Sequence, residues 1–185
     1  MSARVGRGRL FAAVTGALVF LAAQAAGEDP GFMPKGGRAL LLEMAGSPPD
    51  IGELRKIAQA RRTEVEWRGF AAARAKNLSG RELDTLAAYF AVNLPLAEDV
   101  AQRGDLAKAL PADGRDLAWN QCQFCHSLFT SYLTQDRELQ AWRNIFLSPF
   151  HREMKMSPQE REEFARYSAL NMPMKFDDVP PDLRF

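Results

Sequence analysis

The chain has 185 residues, a length that suits one ordinary domain or two small ones. Its 24 Lys and Arg residues nearly balance 23 Asp and Glu residues, and no basic tract is present after residue 25, which argues against binding to nucleic acid or to an anionic membrane surface. Only two histidines occur and no acid–base or nucleophile constellation is visible, which argues against general acid–base or nucleophilic catalysis.

The N-terminus has the pattern of an export signal. Residues 10–22 are apolar but too short to span a bilayer comfortably, and residues 23–25 place small residues at the two positions that a signal peptidase reads. The positive region before them contains Arg4, Arg7 and Arg9. We therefore predict a Sec-type signal peptide over residues 1–25, a periplasmic location and no stable membrane span after cleavage; an uncleaved anchor helix is the alternative. Cleavage would remove three positive charges and no negative ones, changing the net charge from +1 to −2.

An internal repeat follows. Residues 78–96 align without gaps on residues 156–174, and each copy begins with a Ser-x-x-Glu capping box and ends at Asn-x-Pro, which stops a helix. Most other pairs exchange one apolar residue for another. The identical pairs are Ser79/Ser157, Glu82/Glu160, Ala87/Ala165, Tyr89/Tyr167, Ala91/Ala169, Asn93/Asn171 and Pro95/Pro173.

The repeat extends towards the N-terminus in both copies. Trp67-Arg68 corresponds to Trp142-Arg143, and Gly37-Arg38 corresponds to Gly114-Arg115. Between the copies, residues 97–113 are rich in alanine and acidic residues and contain Pro111 near their end, so they are predicted to be a linker.

The most specific motif lies in the second copy. Residues 122–126 read Cys-Gln-Phe-Cys-His, the attachment signature of a c-type haem, in which two thiols bond the porphyrin and the adjacent imidazole binds the iron. A dithiol redox pair or half of a zinc site are the other interpretations. The following histidine, the export signal and the absence of further cysteines favour the haem, which would use both Cys122 and Cys125 and leave no thiol for a disulfide. In the first copy the equivalent positions hold Ala45, Pro48 and Pro49.

The second half thus resembles a class I cytochrome c domain. The resemblance implies an all-α fold, with one helix over residues 116–125 that runs into the haem motif and a C-terminal helix over residues 157–169. The whole chain resembles a two-domain, dihaem-type cytochrome c. The implied organisation is a haemless cytochrome-c-like domain over residues 26–96, the linker over 97–113, and a haem c domain with an irregular C-terminal tail over 114–185.

The resemblance makes His126 the proximal iron ligand and leaves the sixth ligand to be identified. Met156, Met172 and Met174 align with leucines of the first copy, which favours a role in core packing. His151 and Met154 lie in the segment that is longer in the second copy. Spacing within the family favours His151 and ligand type favours Met154, so Met154 is predicted as the ligand with His151 as the alternative.

The function that the resemblance implies is the transfer of single electrons between redox partner proteins. The protein would be a carrier or the electron-transfer subunit of an oxidoreductase, with one covalent haem c, and not an enzyme by itself. A haem peroxidase or gas-binding sensor with an open distal site is the alternative. The haemless first domain would serve as a docking module in a third hypothesis.

Overall fold

The computed structural model describes residues 31–185, so the predicted signal peptide over residues 1–25 lies outside the described residues. This part of the chain folds into helices and turns without a β-strand, which confirms the all-α prediction. The helices are α1 Gly37–Met44, α2 Ile51–Gln59, α3 Glu64–Arg74, α4 Gly80–Asn93, α5 Glu98–Ala101, α6 Leu106–Ala109, α7 Gly114–Cys122, α8 Leu139–Asn144, α9 Pro149–Arg152 and α10 Pro158–Asn171. Short π-helical and 3₁₀ turns cover Phe129–Leu133, Ile145–Leu147, Phe176–Asp178 and Pro181–Leu183.

The two repeat helices, α4 and α10, form the centre of the fold. Both begin with a reciprocal capping box, in which Ser79 and Ser157 accept hydrogen bonds from the amides of Glu82 and Glu160 and each glutamate accepts from the serine amide. Helix α4 packs against α1 and α3, α10 packs against α7 and α8, and α4 and α10 pack against each other. The sequence repeat is therefore also a repeat of helix packing.

Each half of the chain surrounds its own buried cluster. In the first cluster Trp67 and Tyr89 are almost fully buried, and Trp142 and Tyr167 take the same roles in the second. Trp67 and Phe90 have ring centroids 4.6 Å apart, and Trp142 and Phe164 have centroids 5.9 Å apart. Large aromatic side chains thus supply much of the apolar area that is removed from water in both clusters.

A glycine at the start of the first helix of each copy allows close approach to the tyrosine of the long helix. A Cβ atom added to Gly37 would lie 2.1 Å from Cβ of Tyr89, and one added to Gly114 would lie 2.0 Å from Cβ of Tyr167. Real side chains do not approach so closely, so both helix crossings require glycine.

The two halves also exchange contacts reciprocally. Tyr89 donates its hydroxyl hydrogen bond to the carbonyl oxygen of Pro111 at 2.9 Å, and Tyr167 donates to that of Pro34 at 2.6 Å. Beside these prolines, Met33 is buried in the second cluster and Leu110 in the first. The segment that precedes the first helix of each half therefore packs into the buried cluster of the other half.

Buried amides connect α4 and α10 in the same reciprocal way. Asn93 donates a hydrogen bond to Glu163 at 3.0 Å, and Asn171 donates to Thr85 at 3.0 Å. Glu163 and Thr85 occupy equivalent positions of the repeat, as do the two asparagines. Because buried polar groups need partners, these pairs fix the register of the two helices.

The segment predicted to be a linker, residues 97–113, contains α5 and α6, which pack against α2. Ala101 and Leu106 of these helices are fully buried in the first cluster. The C-terminal residues 176–185 form the two final 3₁₀ turns, with Val179 buried in the second cluster. Phe176 packs on Phe129 with ring centroids 5.6 Å apart.

Candidate functional site

The Cys-x-x-Cys-His motif lies at the end of α7. Asp113 caps the start of this helix in a reciprocal box with Asp116, and the helix ends at Cys122, where the chain turns. The side-chain amide of Gln123 donates to the carbonyl oxygen of Trp119 at 2.8 Å and holds this turn. Cys122 is half-buried, whereas Cys125 and His126 are exposed.

A cleft of about 670 Å³ opens beside the motif. Cys122, Cys125 and His126 line it together with His151 and Met154 from the segment before α10. The remaining lining is largely aromatic or aliphatic and includes Tyr132, Trp142, Ile145, Phe146, Phe150 and Phe164. Cofactor pockets are typically apolar clefts of roughly 300–1,000 Å³, so this cleft has the size and apolar character of a cofactor site.

Arg137 is the one charged side chain among the residues that line the cleft. Its guanidinium carbon lies 5.3 Å from the ring centroid of Trp142, and its Nη2 donates to the side chain of Gln135 at 2.9 Å. An arginine in an otherwise uncharged cleft would complement the charge of an anionic cofactor, such as the two carboxylates of a haem.

The indole Nε1 of Trp142, which also lines the cleft, is buried without a hydrogen-bond partner. Nε1 of Trp67 is equally unpaired in the first half, where Arg62 lies 4.8 Å from the indole ring. The arrangement of an arginine over a buried tryptophan thus belongs to the repeat, but only in the second half does it border the cleft beside the haem motif.

His126 and His151 both line the cleft, and their imidazole rings lie close to each other. The ring centroids of His126 and His151 are 6.1 Å apart, with an angle of 87° between the ring planes. Ser148 caps the short helix α9 and accepts from the amide of His151. The Nδ1 atom of His151 lies 3.2 Å from the carbonyl oxygen of Ile145 and 3.0 Å from Oγ of Ser148.

Met154, the predicted sixth ligand, also lines the cleft and is half-buried against the second cluster. Its backbone lies in a turn that Arg161 of α10 holds. The guanidinium of Arg161 donates to the carbonyl oxygens of Arg152 at 2.8 Å, Met154 at 3.1 Å and Met156 at 3.2 Å. One side chain thus fixes the backbone that follows His151.

The other three methionines named from the sequence are not among the residues that line the cleft. Met156 and Met172 are buried in the second cluster. Met174 packs against that cluster, and its amide donates to the carbonyl oxygen of Leu133 at 2.7 Å. The structure therefore brings only His151 and Met154, of the five candidates, to the haem motif.

Cys122 lacks the character of a reactive thiol. Burial, with a smaller effect from the neighbouring Cys125, raises the pKa of the Cys122 thiol to about 12. Redox-active thiols have lowered pKa values, because the thiolate is the nucleophile. Across residues 31–185, no group of three or more histidine, cysteine and acidic side chains is placed to hold a metal ion, so the partners of a zinc site are not assembled here.

Sequence reasoning did not identify the roles of Ser148, Arg137 and Arg161. For Arg161 a signal was available, since the ungapped repeat places it opposite Leu83, which packs against the first cluster. A charged residue at a position that is apolar in the first copy indicates a contact specific to the second half. Ser148 and Arg137 carry no comparable signal in the sequence.

Comparison with protein-family models, with curated proteins and with solved structures finds no match for this chain. Between residues 31 and 185, none of the helices has both the length and the apolar character needed to cross a membrane.

Proposed function

We propose that this protein is a periplasmic c-type cytochrome that transfers single electrons, either as a carrier or as the electron-transfer subunit of an oxidoreductase. One observation carries the proposal: the Cys-x-x-Cys-His motif borders an apolar cleft of about 670 Å³ that contains a second imidazole and a thioether. These groups form a complete set of attachment and axial ligands for one haem.

In this proposal Cys122 and Cys125 would hold the porphyrin through thioether bonds, and His126 would bind the iron. His151 or Met154 would supply the second iron ligand. The bound haem supplies a one-electron couple between ferric and ferrous iron. The apolar lining would limit the access of water to the iron, and Arg137 would offset the charge of the haem carboxylates.

Electron transfer is favoured over small-molecule catalysis because two side chains that can bind iron, those of His151 and Met154, line the cleft beside the motif. A peroxidase or gas sensor needs an open distal site and, for peroxide cleavage, groups that move protons. The two candidate distal ligands beside the motif support electron transfer over a haem with an open distal site.

For the first half, we propose a haemless copy of the same domain. The shared helix order, the paired glycine–tyrosine crossings and the reciprocal hydrogen bonds support a common plan. Ala45, Pro48 and Pro49 stand where the haem motif would be and cannot bind haem. Retention of this half without a cofactor is consistent with a structural or docking role.

The proposal is tested by producing the full chain in a host with periplasmic c-type haem maturation. We expect haem that stays attached through denaturing electrophoresis and is lost in the double variant Cys122→Ala/Cys125→Ala. Phe124→Ala is the matched control, because Phe124 is 77% exposed within the same motif and contributes no ligand.

A chain without covalent haem would contradict the proposal. Carbon monoxide binding by the ferrous protein as rapidly as by an open haem would instead favour the sensor or peroxidase hypothesis. We expect reversible one-electron reduction and no rapid carbon monoxide binding, because the distal position is filled.

A further inference from the structure

We infer that His151, and not Met154, is the sixth iron ligand, so that the haem iron is held between two imidazoles. This inference rests on the proposed function, since it assigns a residue to the haem that the cleft would hold. It departs from the sequence-based prediction of Met154.

The separation of the two imidazoles is the first argument. Metal–imidazole bonds of about 2 Å on opposite faces of one metal atom put the two ring centres roughly 6 Å apart. The ring centroids of His126 and His151 are 6.1 Å apart in the protein. Because both rings line the same cleft, the pair already has the spacing that a shared iron atom requires.

The hydrogen bonds of His151 are the second argument. A carbonyl oxygen can only accept, so the 3.2 Å contact between Nδ1 of His151 and the carbonyl oxygen of Ile145 assigns the ring hydrogen to Nδ1. Oγ of Ser148, 3.0 Å from the same nitrogen, can accept as well. Nε2 then carries a lone pair, and a histidine that ligates a metal typically donates its other ring hydrogen in this way.

The local backbone is the third argument. Ser148 accepts a hydrogen bond from the amide of His151, and Pro149 occupies the first turn of α9. Both features restrict the backbone that carries the imidazole of His151. The imidazole is therefore oriented by its own helix cap and by its side-chain contact together. The carbonyl oxygen of Met154 accepts a hydrogen bond from Arg161, but its thioether has no hydrogen-bond donor through which the side chain could be oriented in the same way.

Two imidazoles lower the reduction potential of a haem relative to an imidazole and a thioether. The proposal therefore places this protein among low-potential carriers, which would need an electron donor of correspondingly low reduction potential.

The test compares His151→Ala with Met154→Leu in the matured protein and reads the spin state of the ferric haem. We expect His151→Ala to become high-spin, to bind carbon monoxide rapidly when reduced, and to return to low-spin on addition of imidazole. We expect Met154→Leu to keep the low-spin spectrum, because leucine preserves the packing of a methionine that is not a ligand.

The unmodified protein gives a second reading that does not depend on the folding of a variant. Its ferric near-infrared magnetic circular dichroism should show the transition of bis-imidazole ligation and lack that of thioether ligation. A thioether transition, loss of the low-spin state in Met154→Leu, or a low-spin spectrum retained in His151→Ala would each overturn the assignment of His151. Those outcomes would leave the proposed function standing, whereas absence of covalent haem would remove that function itself.

Discussion

Arg137 places one positive charge beside a cleft that is otherwise uncharged. A nearby cation favours the ferrous state of a bound haem, because reduction removes one positive charge from the iron. Replacing it in Arg137→Met should therefore lower the reduction potential by the equivalent of about 1 kcal/mol, or a few tens of millivolts for one electron. The measurement is a spectroelectrochemical titration of the matured protein.

The repeat offers a matched control for this substitution. Arg62 lies over Trp67 as Arg137 lies over Trp142, but in the half without the haem motif. Arg62→Met should leave the potential unchanged. Equal shifts in the two variants would mean that Arg137 acts through overall charge rather than through its position at the cleft.

At the scale of single elements, the crossing of α7 and α10 depends on Gly114. An added Cβ atom would lie 2.0 Å from Cβ of Tyr167, a backbone-near atom that cannot move aside. We expect Gly114→Ala to reduce the free energy of unfolding by about 1–3 kcal/mol or more, as over-packing does. Urea unfolding followed by circular dichroism measures this change.

Gly69 is the control for the glycine substitution. It lies inside α3, and a Cβ atom there would meet nothing within 4 Å. Gly69→Ala should stabilise the protein by about 0.5–1 kcal/mol, because alanine loses less backbone entropy in a helix. If Gly114→Ala were also neutral or stabilising, close approach would not be the reason for glycine at the crossing.

The turn between α9 and α10 depends on Arg161, which donates to three backbone carbonyl oxygens. Arg161→Leu installs the residue type that the first copy has at this position, Leu83. Each hydrogen bond from a charged group contributes roughly 1.5–3 kcal/mol, so their loss should allow the turn to open far more often. Hydrogen exchange of the amides of residues 152–156 should become faster, while the amides inside α4 keep their rates.

Arg161→Lys serves as a control for charge. Lysine keeps the positive charge but cannot donate to three carbonyl oxygens in the fixed arrangement of a guanidinium. We expect its exchange rates to resemble those of Arg161→Leu more than those of the unmodified protein. Unchanged rates in both variants would show that the turn is held by its other contacts.

Much of the helix plan was predictable from sequence because its signals are local. The capping boxes at Ser79 and Ser157 and the Asn-x-Pro ends define α4 and α10 without reference to the rest of the chain. The family-based helix over residues 116–125 instead begins at Gly114 and ends at Cys122, since the Asp113–Asp116 box starts it earlier and the haem-motif turn stops it earlier.

The remaining features depend on contacts between residues that are distant in sequence. Met33 is buried in the second cluster and Leu110 is buried in the first, and no local pattern in the chain predicts either contact. His151 and Met154 are three residues apart, so spacing alone could not separate them. Only the folded positions of Ile145 and His126 around His151 distinguish the two candidates.

At the scale of the whole molecule, Glu163 lies where the two halves meet. It accepts from the side chain of Asn93 in α4 at 3.0 Å and from the amide of Gly114 in α7 at 3.1 Å. Burial raises the pKa of Glu163 to about 8, and the nearby charge of Asp113 adds to this shift, while both hydrogen bonds and Arg166 oppose it. We therefore expect the stability of the junction between the halves to depend on pH.

The sign of that sensitivity follows from linkage. A carboxyl group whose pKa is higher in the folded than in the unfolded protein binds more protons when the protein is folded. Its contribution to the free energy of unfolding is therefore fully present below about pH 4.5 and is lost as the pH rises to about 8. Each pKa unit corresponds to about 1.4 kcal/mol, so the total loss should amount to a few kcal/mol. Urea unfolding of the full chain at several pH values between these limits measures it.

Glu163→Gln isolates this contribution, because the substitution removes the buried carboxyl group and leaves the rest of the chain unchanged. The variant should lose the decline in stability between about pH 5 and pH 8, whatever constant offset the amide introduces. Because Glu163 contacts both halves, the decline should appear equally in the exchange of amides in α4 and in α10. A decline confined to α10 would mean that the halves unfold separately, and equal slopes in the two proteins would assign the pH dependence to another group.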